Sequence, residues 1–254
     1  MCFDHDSRPP IPPIAGGALD AQDITLEAAD GNRFMGYLAR AAEPTGAAML
    51  ILPDVRGLHA YYRELALRFA EHGVDALAID YFGRTAGIGD RGPGFEYREH
   101  VNQTRFPNLR ADITAASTRL REVAEPRALF TVGFCFGGRL SFLAAGLGLD
   151  LSGVIGFYGW PVGETHNQSP APADVADTLK SPVLGLFGGA DEGIPADAVA
   201  TFESALETAG VEHRITTFPD APHSFFDRKA EEFAGASAEA WDQVQSFIRA
   251  HSAA

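Results

Sequence analysis

The six residues 133–138, Gly-Phe-Cys-Phe-Gly-Gly, constrain the fold of this chain more than any other stretch. The apolar run 127–132 leads into them, and the small and apolar residues 139–147 lead out with helical character. This pattern predicts a strand, a sharp turn and a helix. The residue at the centre of such a turn lies in strained backbone, and glycines on both sides remove the Cβ atoms that would clash with the neighbouring strand and helix. The turn therefore presents Cys135 above the carboxyl end of the strand.

The chemistry expected of Cys135 follows from this placement. The pattern G-x-C-x-G has the spacing of a nucleophile elbow, G-x-S-x-G, with sulfur in place of oxygen. A helix that begins just behind the thiol directs N–H groups and a partial positive charge at it, which favours the thiolate. The alternative is a buried cysteine that only packs in a glycine-rich turn.

Composition and charge exclude several classes of protein. The 254 residues are 46% hydrophobic and 21% charged, which is typical of a globular chain with a sizeable core. The net charge of −14 argues against a nucleic-acid partner. With only two cysteines, Cys2 and Cys135, we expect no disulfide framework and a reducing, cytoplasmic location. No signal pattern and no apolar run of about 18 residues is present, so we expect no membrane association.

The first half of the chain predicts an arm followed by a sheet. Residues 1–17 are rich in proline and acidic residues and are interpreted as an extended N-terminal arm, with 18–254 as a single domain. Alternating segments 23–29 and 33–40 flank the turn Asp-Gly-Asn and predict an antiparallel hairpin. The apolar runs 47–52 and 74–79, separated by a predicted helix over 61–72, indicate parallel strands joined by a right-handed crossover.

The second half continues the alternation of strands and helices. Residues 80–105 are rich in glycine and charge and predict a long, weakly patterned loop, and 159–180 predict a second loop. The remaining predicted strands are 153–158, 182–187 and 214–218, and the remaining predicted helices are 107–124, 195–209 and 236–251. The sequence therefore predicts an α/β fold with a mostly parallel, doubly wound sheet and an N-terminal antiparallel hairpin.

Three strand ends carry reactive side chains. Cys135, Asp191 and His223 each follow a predicted strand, and functional sites in open α/β sheets gather at the carboxyl ends of the strands. Their order along the chain is nucleophile, acid, histidine. A thiolate attacks, an imidazole moves protons, and a carboxylate orients the imidazole and stabilises its charged form. The alternatives are that Asp191 caps the helix near Pro195 and that His223 packs beside Phe225.

These motifs resemble the dienelactone hydrolase (carboxymethylenebutenolidase) family. The resemblance covers the chain from about the first hairpin onwards, in Leu-Pro-Asp-Val-Arg-Gly (52–57), Ala-Ile-Asp-Tyr-Phe (78–82), the elbow (133–138), Gly-Gly-Ala-Asp-Glu-Gly-Ile-Pro (188–195) and Ala-Pro-His-Ser-Phe (221–225). It implies an α/β-hydrolase fold and opening of the dienelactone ring to maleylacetate. It also implies Cys135 as nucleophile, Asp191 as orienting acid and His223 as base. The backbone N–H groups of Phe136 and Val55 would form the oxyanion hole.

The chain departs from the family pattern at two places. The family has a glutamate that hydrogen-bonds the resting thiol, and here the matching residue is Asp54, for which the alternative is a loop carboxylate that satisfies nearby N–H groups. The family also holds the substrate carboxylate with two arginines. Arg98 is a match to the first, but the second position, four beyond the histidine, is Asp227 with Arg228 next to it. Arg84 is a third candidate, and surface ion pairing is the alternative for each arginine.

The remaining expectations concern the pocket and its ligands. Tyr158 and Trp160 follow a predicted strand and are candidates to line an apolar substrate pocket, with ordinary core packing as the alternative. No phosphate-binding loop or metal-ligand spacing is present, and Cys2, Asp4 and His5 match no known metal site, so we expect no cofactor.

The functional expectation is a hydrolase that opens a small lactone or cleaves a small ester through an acyl-thioester. One alternative is a general carboxylesterase or thioesterase on the same scaffold. The other is a ligand-binding protein of this fold without turnover, since a fold does not fix a function. Product release on mixing with an ester separates an enzyme from a binding protein.

Overall fold

Continuous apolar runs form the centre of the sheet, as expected for strands buried on both faces. The computed structural model describes residues 7–252. Every residue of β3 (Ala47–Leu52), β4 (Val74–Ile79), β5 (Ala128–Phe134) and β7 (Val183–Gly188) is buried. These strands lie at the middle of one hydrophobic core, whose buried residues come from along the chain between Ile11 and Ile248.

The sheet has eight strands in the order β1-β2-β4-β3-β5-β6-β7-β8. The N-terminal hairpin of β1 (Ala18–Glu27) and β2 (Arg33–Ala41) is antiparallel, and β2 also runs antiparallel to β4. All later neighbours, including β6 (Gly153–Phe157) and β8 (His213–Phe218), pair in parallel. The predicted fold class, a mostly parallel α/β sheet with an antiparallel hairpin at its start, is confirmed.

The helices of eight or more residues lie where the sequence predicts them, whereas the shorter α-helices were not predicted. The helices are α1 (Ala60–Glu71), α2 (Gly83–Ala86), α3 (Tyr97–Gln103), α4 (Phe106–Ala124), α5 (Phe136–Ala144), α6 (Ala196–Ala209) and α7 (Ala234–His251), with a 3₁₀ helix at Pro172–Thr178. Helix α6 ends at Gly210, which has a φ of 68° and supplies the left-handed C-terminal cap. Within residues 7–252, none of the helices combines the length and apolar character needed to cross a membrane.

The segment 80–105 is more ordered than the sequence predicts. It contains α2 and α3, so the prediction of an unstructured loop is wrong over those residues. Both helices are shorter than eight residues, and so short a stretch shows little hydrophobic periodicity. Aromatic stacking helps to hold the segment, because the rings of Phe95 and His100 are parallel within 9° at 4.9 Å. The predicted loop 159–180 likewise contains the 3₁₀ helix.

The described part of the N-terminal arm lies against the body of the protein. Ile11 is buried in the core cluster, and the N–H of Ile14 donates to Oε2 of Glu71 at 2.9 Å. Strand β1 begins at Ala18, five residues before the predicted start at residue 23. The division into an arm of residues 1–17 and one domain of residues 18–254 stays a prediction.

Candidate active site

The elbow at Cys135 has the strained backbone that its sequence predicts. β5 ends at Phe134, α5 begins at Phe136, and Cys135 between them has φ 54° and ψ −112°. A non-glycine residue at positive φ is uncommon and persists only where the surroundings enforce it. The N–H of Cys135 donates to the carbonyl oxygen of Phe157 at 3.0 Å, which ties the elbow to the end of β6. The thiol itself is partly exposed.

Two glycines allow the elbow to approach its neighbours. A Cβ on Gly133 would lie 1.9 Å from the carbonyl oxygen of Gly137, and a Cβ on Gly137 would lie 2.0 Å from that of Leu52. The start of α5 therefore packs directly on the end of β3. The N–H of Phe136, like the other first N–H groups of a helix, has no acceptor inside α5, and the loop that carries Val55 begins where β3 ends.

Asp191 and His223 are hydrogen-bonded. Nδ1 of His223 lies 2.7 Å from Oδ2 of Asp191, while Oδ1 of Asp191 accepts the N–H groups of Gly193 at 2.8 Å and Ile194 at 3.2 Å. The Asp191 side chain is 2% exposed and that of His223 is 32% exposed. A buried, oriented carboxylate thus holds an imidazole that solvent and substrate can reach. The two N–H groups that Oδ1 accepts belong to the turn just before Pro195, so Asp191 also satisfies donors next to α6, as in the alternative that the sequence left open.

Phe157 and Tyr158 connect the elbow to the histidine. Cys135 bonds the backbone of Phe157, and the ring of the next residue, Tyr158, lies 4.8 Å from the imidazole of His223. Tyr158 has a φ of 37°, and its N–H donates to the carbonyl oxygen of Leu186 at 2.8 Å. Tyr158 is fully buried, so its ring packs against the inner side of the His223 imidazole and not at the protein surface. Cys135 and His223 thereby contact two consecutive residues at the end of β6, Phe157 and Tyr158.

Asp54 is fully buried in the loop after β3. Its Oδ1 accepts the N–H of Arg56 at 2.8 Å, and its own N–H donates to the hydroxyl oxygen of Tyr62 at 3.0 Å. Burial raises the pKa of the Tyr81 hydroxyl well above its usual range, and negative charge at Asp54, Asp80 and Cys135 raises it further. Asp54 and Cys135 are therefore both close enough to act on Tyr81. The local bond to Arg56 matches the alternative that Asp54 satisfies nearby N–H groups.

The three candidate arginines lie in different places. Arg84 binds Asp30 at 2.6 Å and Asp112 at 2.8 Å. Arg98 is exposed on α3, with its guanidinium 5.9 Å from the ring centre of Tyr97. Arg228 is exposed beside the buried Asp227.

Sequence reasoning missed the role of Asp227. This carboxyl is 3% exposed, and its Oδ2 accepts the hydroxyl of Tyr158 at 2.6 Å. Burial raises the pKa of Asp227 to about 8, although hydrogen bonds from Tyr158 and the N–H of Arg228 lower it. The available signal was its place after Phe225 and Phe226, since an acidic residue directly after a buried apolar pair needs partners.

Arg139 is a second residue that the sequence did not single out. It is 3% exposed on α5, and its five N–H groups share six acceptors in the loop after β6. The acceptors are the carbonyl oxygens of Trp160, Val162, Gly163, Ser169 and Pro170 and the hydroxyl of Ser169. Burial lowers the pKa of Arg139 to about 10, and the charge of Asp174 opposes that shift. One buried cation thus anchors the loop that carries Trp160.

Trp160 differs from Tyr158 in its exposure. Its side chain is 39% exposed, and its Cζ3 lies 3.7 Å from the position that a Cβ on Gly193 would occupy. Trp160 therefore covers the loop that carries Asp191, on the solvent side of the site.

Among residues 7–252, no three histidine, cysteine, aspartate or glutamate side chains cluster so that they could hold a metal ion. Cys2, Asp4 and His5 lie outside the described residues.

Comparison with known proteins places this geometry among relatives. A profile of the dienelactone hydrolase family matches residues 34–252. A provisionally named carboxymethylenebutenolidase of Salmonella typhimurium is 32% identical over 214 residues, which cover 82% of this chain and 79% of that protein. A provisionally named dienelactone hydrolase of Klebsiella pneumoniae has a crystal structure with TM-score 0.79 at 26% identity, covering 91% of this chain and 99% of that one. An esterase of Pyrococcus furiosus, 15% identical, shares the fold with TM-score 0.67 over 97% of this chain and 98% of its own.

Proposed function

The chain belongs to the dienelactone hydrolase family, and from that premise we propose that it hydrolyses small esters or lactones with the triad Cys135, His223 and Asp191. It is a carboxylic ester hydrolase, and the mechanism is the part proposed here. The observation that carries the proposal is the 2.7 Å bond between His223 and the buried Asp191, together with a cysteine at φ 54° in the elbow.

The proposed reaction passes through a thioester. His223 takes the proton of the Cys135 thiol, the resulting thiolate attacks the carbonyl carbon, and the N–H groups of Phe136 and Val55 donate to the oxyanion that forms. The tetrahedral intermediate collapses, the C–O bond to the leaving group breaks, and the imidazolium of His223 gives its proton to the leaving oxygen. In a lactone this alcohol stays attached, so the ring opens. His223 then removes a proton from water, which attacks the thioester and releases the carboxylic acid and the thiolate.

Asp191 has a supporting part in each step. Its Oδ2 accepts a hydrogen bond from the N–H at Nδ1 of His223. Nε2 is therefore the ring atom that exchanges protons. Its Oδ1 is held by Gly193 and Ile194, so the carboxylate cannot rotate away without losing two hydrogen bonds. The carboxylate also stabilises the imidazolium that exists between the two proton transfers.

Substrate recognition is proposed at the rim of the site. Trp160 is exposed beside the acid loop and suits an apolar part of the substrate, with Tyr158 behind it as the buried wall. Arg98 and Arg228 are exposed and are proposed to bind a substrate carboxylate. Arg84 can join them only by leaving Asp30 and Asp112.

Asp54 and the cellular location complete the proposal. Asp54 is proposed to disfavour the resting thiolate of Cys135, because two negative charges close together repel each other. A reducing cytoplasm suits an enzyme that depends on a free thiol. A net charge of −14 fits a small-molecule substrate and no nucleic-acid partner.

A general carboxylesterase for neutral substrates is the second candidate. The observation in its favour is Asp227, a buried carboxyl at the position where the family resemblance implies an arginine for the substrate carboxylate. A buried carboxyl in place of an arginine cation removes a charge-assisted partner for a substrate carboxylate, so it favours substrates without a negative charge there.

The test compares variants on two substrates. We expect Cys135→Ala to abolish release of product from both dienelactone and a neutral p-nitrophenyl ester, and Asp191→Asn to lower kcat by about 10³-fold or more. A Cys2→Ser variant is the matched thiol control and should keep the activity of the native chain. Intact mass spectrometry after rapid quenching should show an acyl adduct on Cys135. Full turnover by Cys135→Ala would overturn the triad, and binding of the ester without product release would indicate a ligand-binding protein.

A further inference from the structure

Asp227 lies four residues after His223, in the turns that join β8 to α7. The N–H of Asp227 donates to the carbonyl oxygen of Ser224 at 3.2 Å, and the N–H of Ala230 donates to that of Asp227 at 3.0 Å. Ser224 has a φ of 67°, which starts this winding immediately after the histidine. The result is a segment that buries Asp227 and leaves Arg228 at the surface.

The buried carboxyl holds Tyr158 at one end. Its Oδ2 accepts the Tyr158 hydroxyl at 2.6 Å, while its Oδ1 accepts the N–H of Arg228. At the other end, the ring of Tyr158 lies 4.8 Å from the imidazole of His223, with the two planes at 52°. Tyr158 therefore spans the distance between the carboxyl and the imidazole.

We propose that Asp227 is a positioning residue for the base, acting through Tyr158 on the imidazole of His223. The inference rests on the proposed triad. The bond from Asp191 holds Nδ1 of the imidazole, and the ring of Tyr158 packs beside the imidazole at 4.8 Å. A fixed aromatic ring at this place helps to keep Nε2 in its working direction, and misplacement of a catalytic group by about 1 Å can cost a hundredfold in rate.

The titration of Asp227 gives a second, non-kinetic way to detect its coupling to His223. The groups that face it are the hydroxyls of Tyr158 and Tyr61, the carboxylate of Asp54 and the imidazole of His223. Burial raises the pKa of Asp227 to about 8; the negative charge of Asp54 raises it too, and a charged His223 lowers it. Because such coupling is reciprocal, ionisation of Asp227 above that pH stabilises the charged form of the His223 imidazole.

The kinetic test uses Asp227→Ala, Asp227→Asn, Tyr158→Phe and the double variant Asp227→Ala/Tyr158→Phe on a neutral p-nitrophenyl ester. Asp227→Ala and Tyr158→Phe should each lower kcat about tenfold and change KM by less than about twofold. The double variant should lose no more than about twofold beyond either single variant, because both remove one contact chain. Asp227→Asn should recover most of the loss, since its amide oxygen still accepts the Tyr158 hydroxyl. Asp220→Ala, an exposed carboxyl in the same segment, is the matched control.

The second readout is the titration of His223, followed by NMR in the Cys135→Ala background. With Asp227 present, we expect a second inflection near pH 8, and Asp227→Asn should abolish it. Should Asp227→Ala not fold, Asp227→Asn and Tyr158→Phe carry the test.

Three results would overturn the inference. One is losses that multiply to about a hundredfold in the double variant. Another is a lowered melting temperature with an unchanged kcat for the folded enzyme. The third is a titration of His223 that does not depend on Asp227. Activity in Cys135→Ala would instead overturn the proposed triad, whereas an inactive Cys135→Ala with unaffected Asp227 variants would overturn only this inference.

Discussion

Arg91 donates two hydrogen bonds to one carboxylate oxygen of Asp80, from Nε at 3.2 Å and from Nη2 at 2.9 Å. Both side chains are buried, at 4% and 0% exposure. Asp80 also accepts the N–H groups of Phe82 and Leu58, and Nη2 of Arg91 donates to the carbonyl oxygen of Gly87. The pair therefore ties the end of β4 to the segment before α3 and to the loop that leads into α1.

Arg91→Met should lower the free energy of unfolding by about 3–5 kcal/mol, because it leaves the carboxylate of Asp80 buried without its cation. Urea unfolding measures the change. Arg119→Met is the control: Arg119 pairs with Glu122 at the surface and should contribute less than about 1 kcal/mol. A loss in Arg91→Met as small as that of the control would contradict the structural role of the pair.

Asp54→Asn should speed alkylation of Cys135 by a small neutral reagent such as iodoacetamide. Removing a negative charge near the sulfur favours the thiolate, and the amide oxygen of asparagine still accepts the N–H of Arg56. Intact mass spectrometry on a Cys2→Ser background reports on Cys135 alone. An unchanged rate would remove the gating role of Asp54 and leave the proposed triad untouched.

Arg98→Ala or Arg228→Ala should raise KM for an acidic lactone by about tenfold while sparing a neutral ester, since only the acidic substrate loses a charge-assisted hydrogen bond. Steady-state kinetics on matched substrates measures the difference, with Arg119→Ala as a surface control. Equal effects on both substrates, or none, would rule out the assignment of these arginines to substrate binding.

Asp112 should make stability depend on pH in the acidic range. Burial raises its pKa to about 6 from 3.8, despite hydrogen bonds from Asn32 at 2.9 Å and Arg84 at 2.8 Å that lower it. The folded protein then binds more protons at this group than the unfolded chain between about pH 4 and pH 6. Its contribution to the free energy of unfolding is therefore largest below pH 4 and falls as pH rises through 6, by up to about 3 kcal/mol.

The measurement for Asp112 is urea unfolding at pH 4, 5, 6 and 7. Asp112→Asn has no proton to lose and should flatten this part of the profile. If the free energy of unfolding of the native protein rises with pH in parallel with that of Asp112→Asn, groups other than Asp112 cause the pH dependence.

The sequence predicted the parts of this molecule whose cause is local. Apolar runs such as 47–52 identify buried strands, and the spacing around Cys135 identifies the elbow, because both depend on neighbours in the chain. The contact between Asp191 and His223 could be predicted as well, because the carboxyl ends of parallel strands lie at one edge of the sheet.

The roles of Arg139 and Asp227 could not be predicted in the same way. Arg139 is satisfied by carbonyl oxygens 21 to 31 residues away, and Asp227 by a hydroxyl 69 residues away. No pattern in the adjacent sequence indicates such partners. The helices of segment 80–105 were missed for a related reason, since α2 and α3 are too short to show a period and are held by contacts such as Arg91 with Asp80.

The close contacts of the elbow constrain the backbone of the turn but not the side chain at position 135. At Gly133 and Gly137 even one added carbon would strike backbone, at 1.9 Å and 2.0 Å, so a saturation library should return almost only glycine at these two positions. The side chain of Cys135 is not constrained in this way, because Cys135 is partly exposed and its side chain makes no capping hydrogen bond to α5. A directed-evolution programme can therefore exchange the proposed nucleophile, Cys135, for serine or for a selenium analogue without redesigning the turn that presents it.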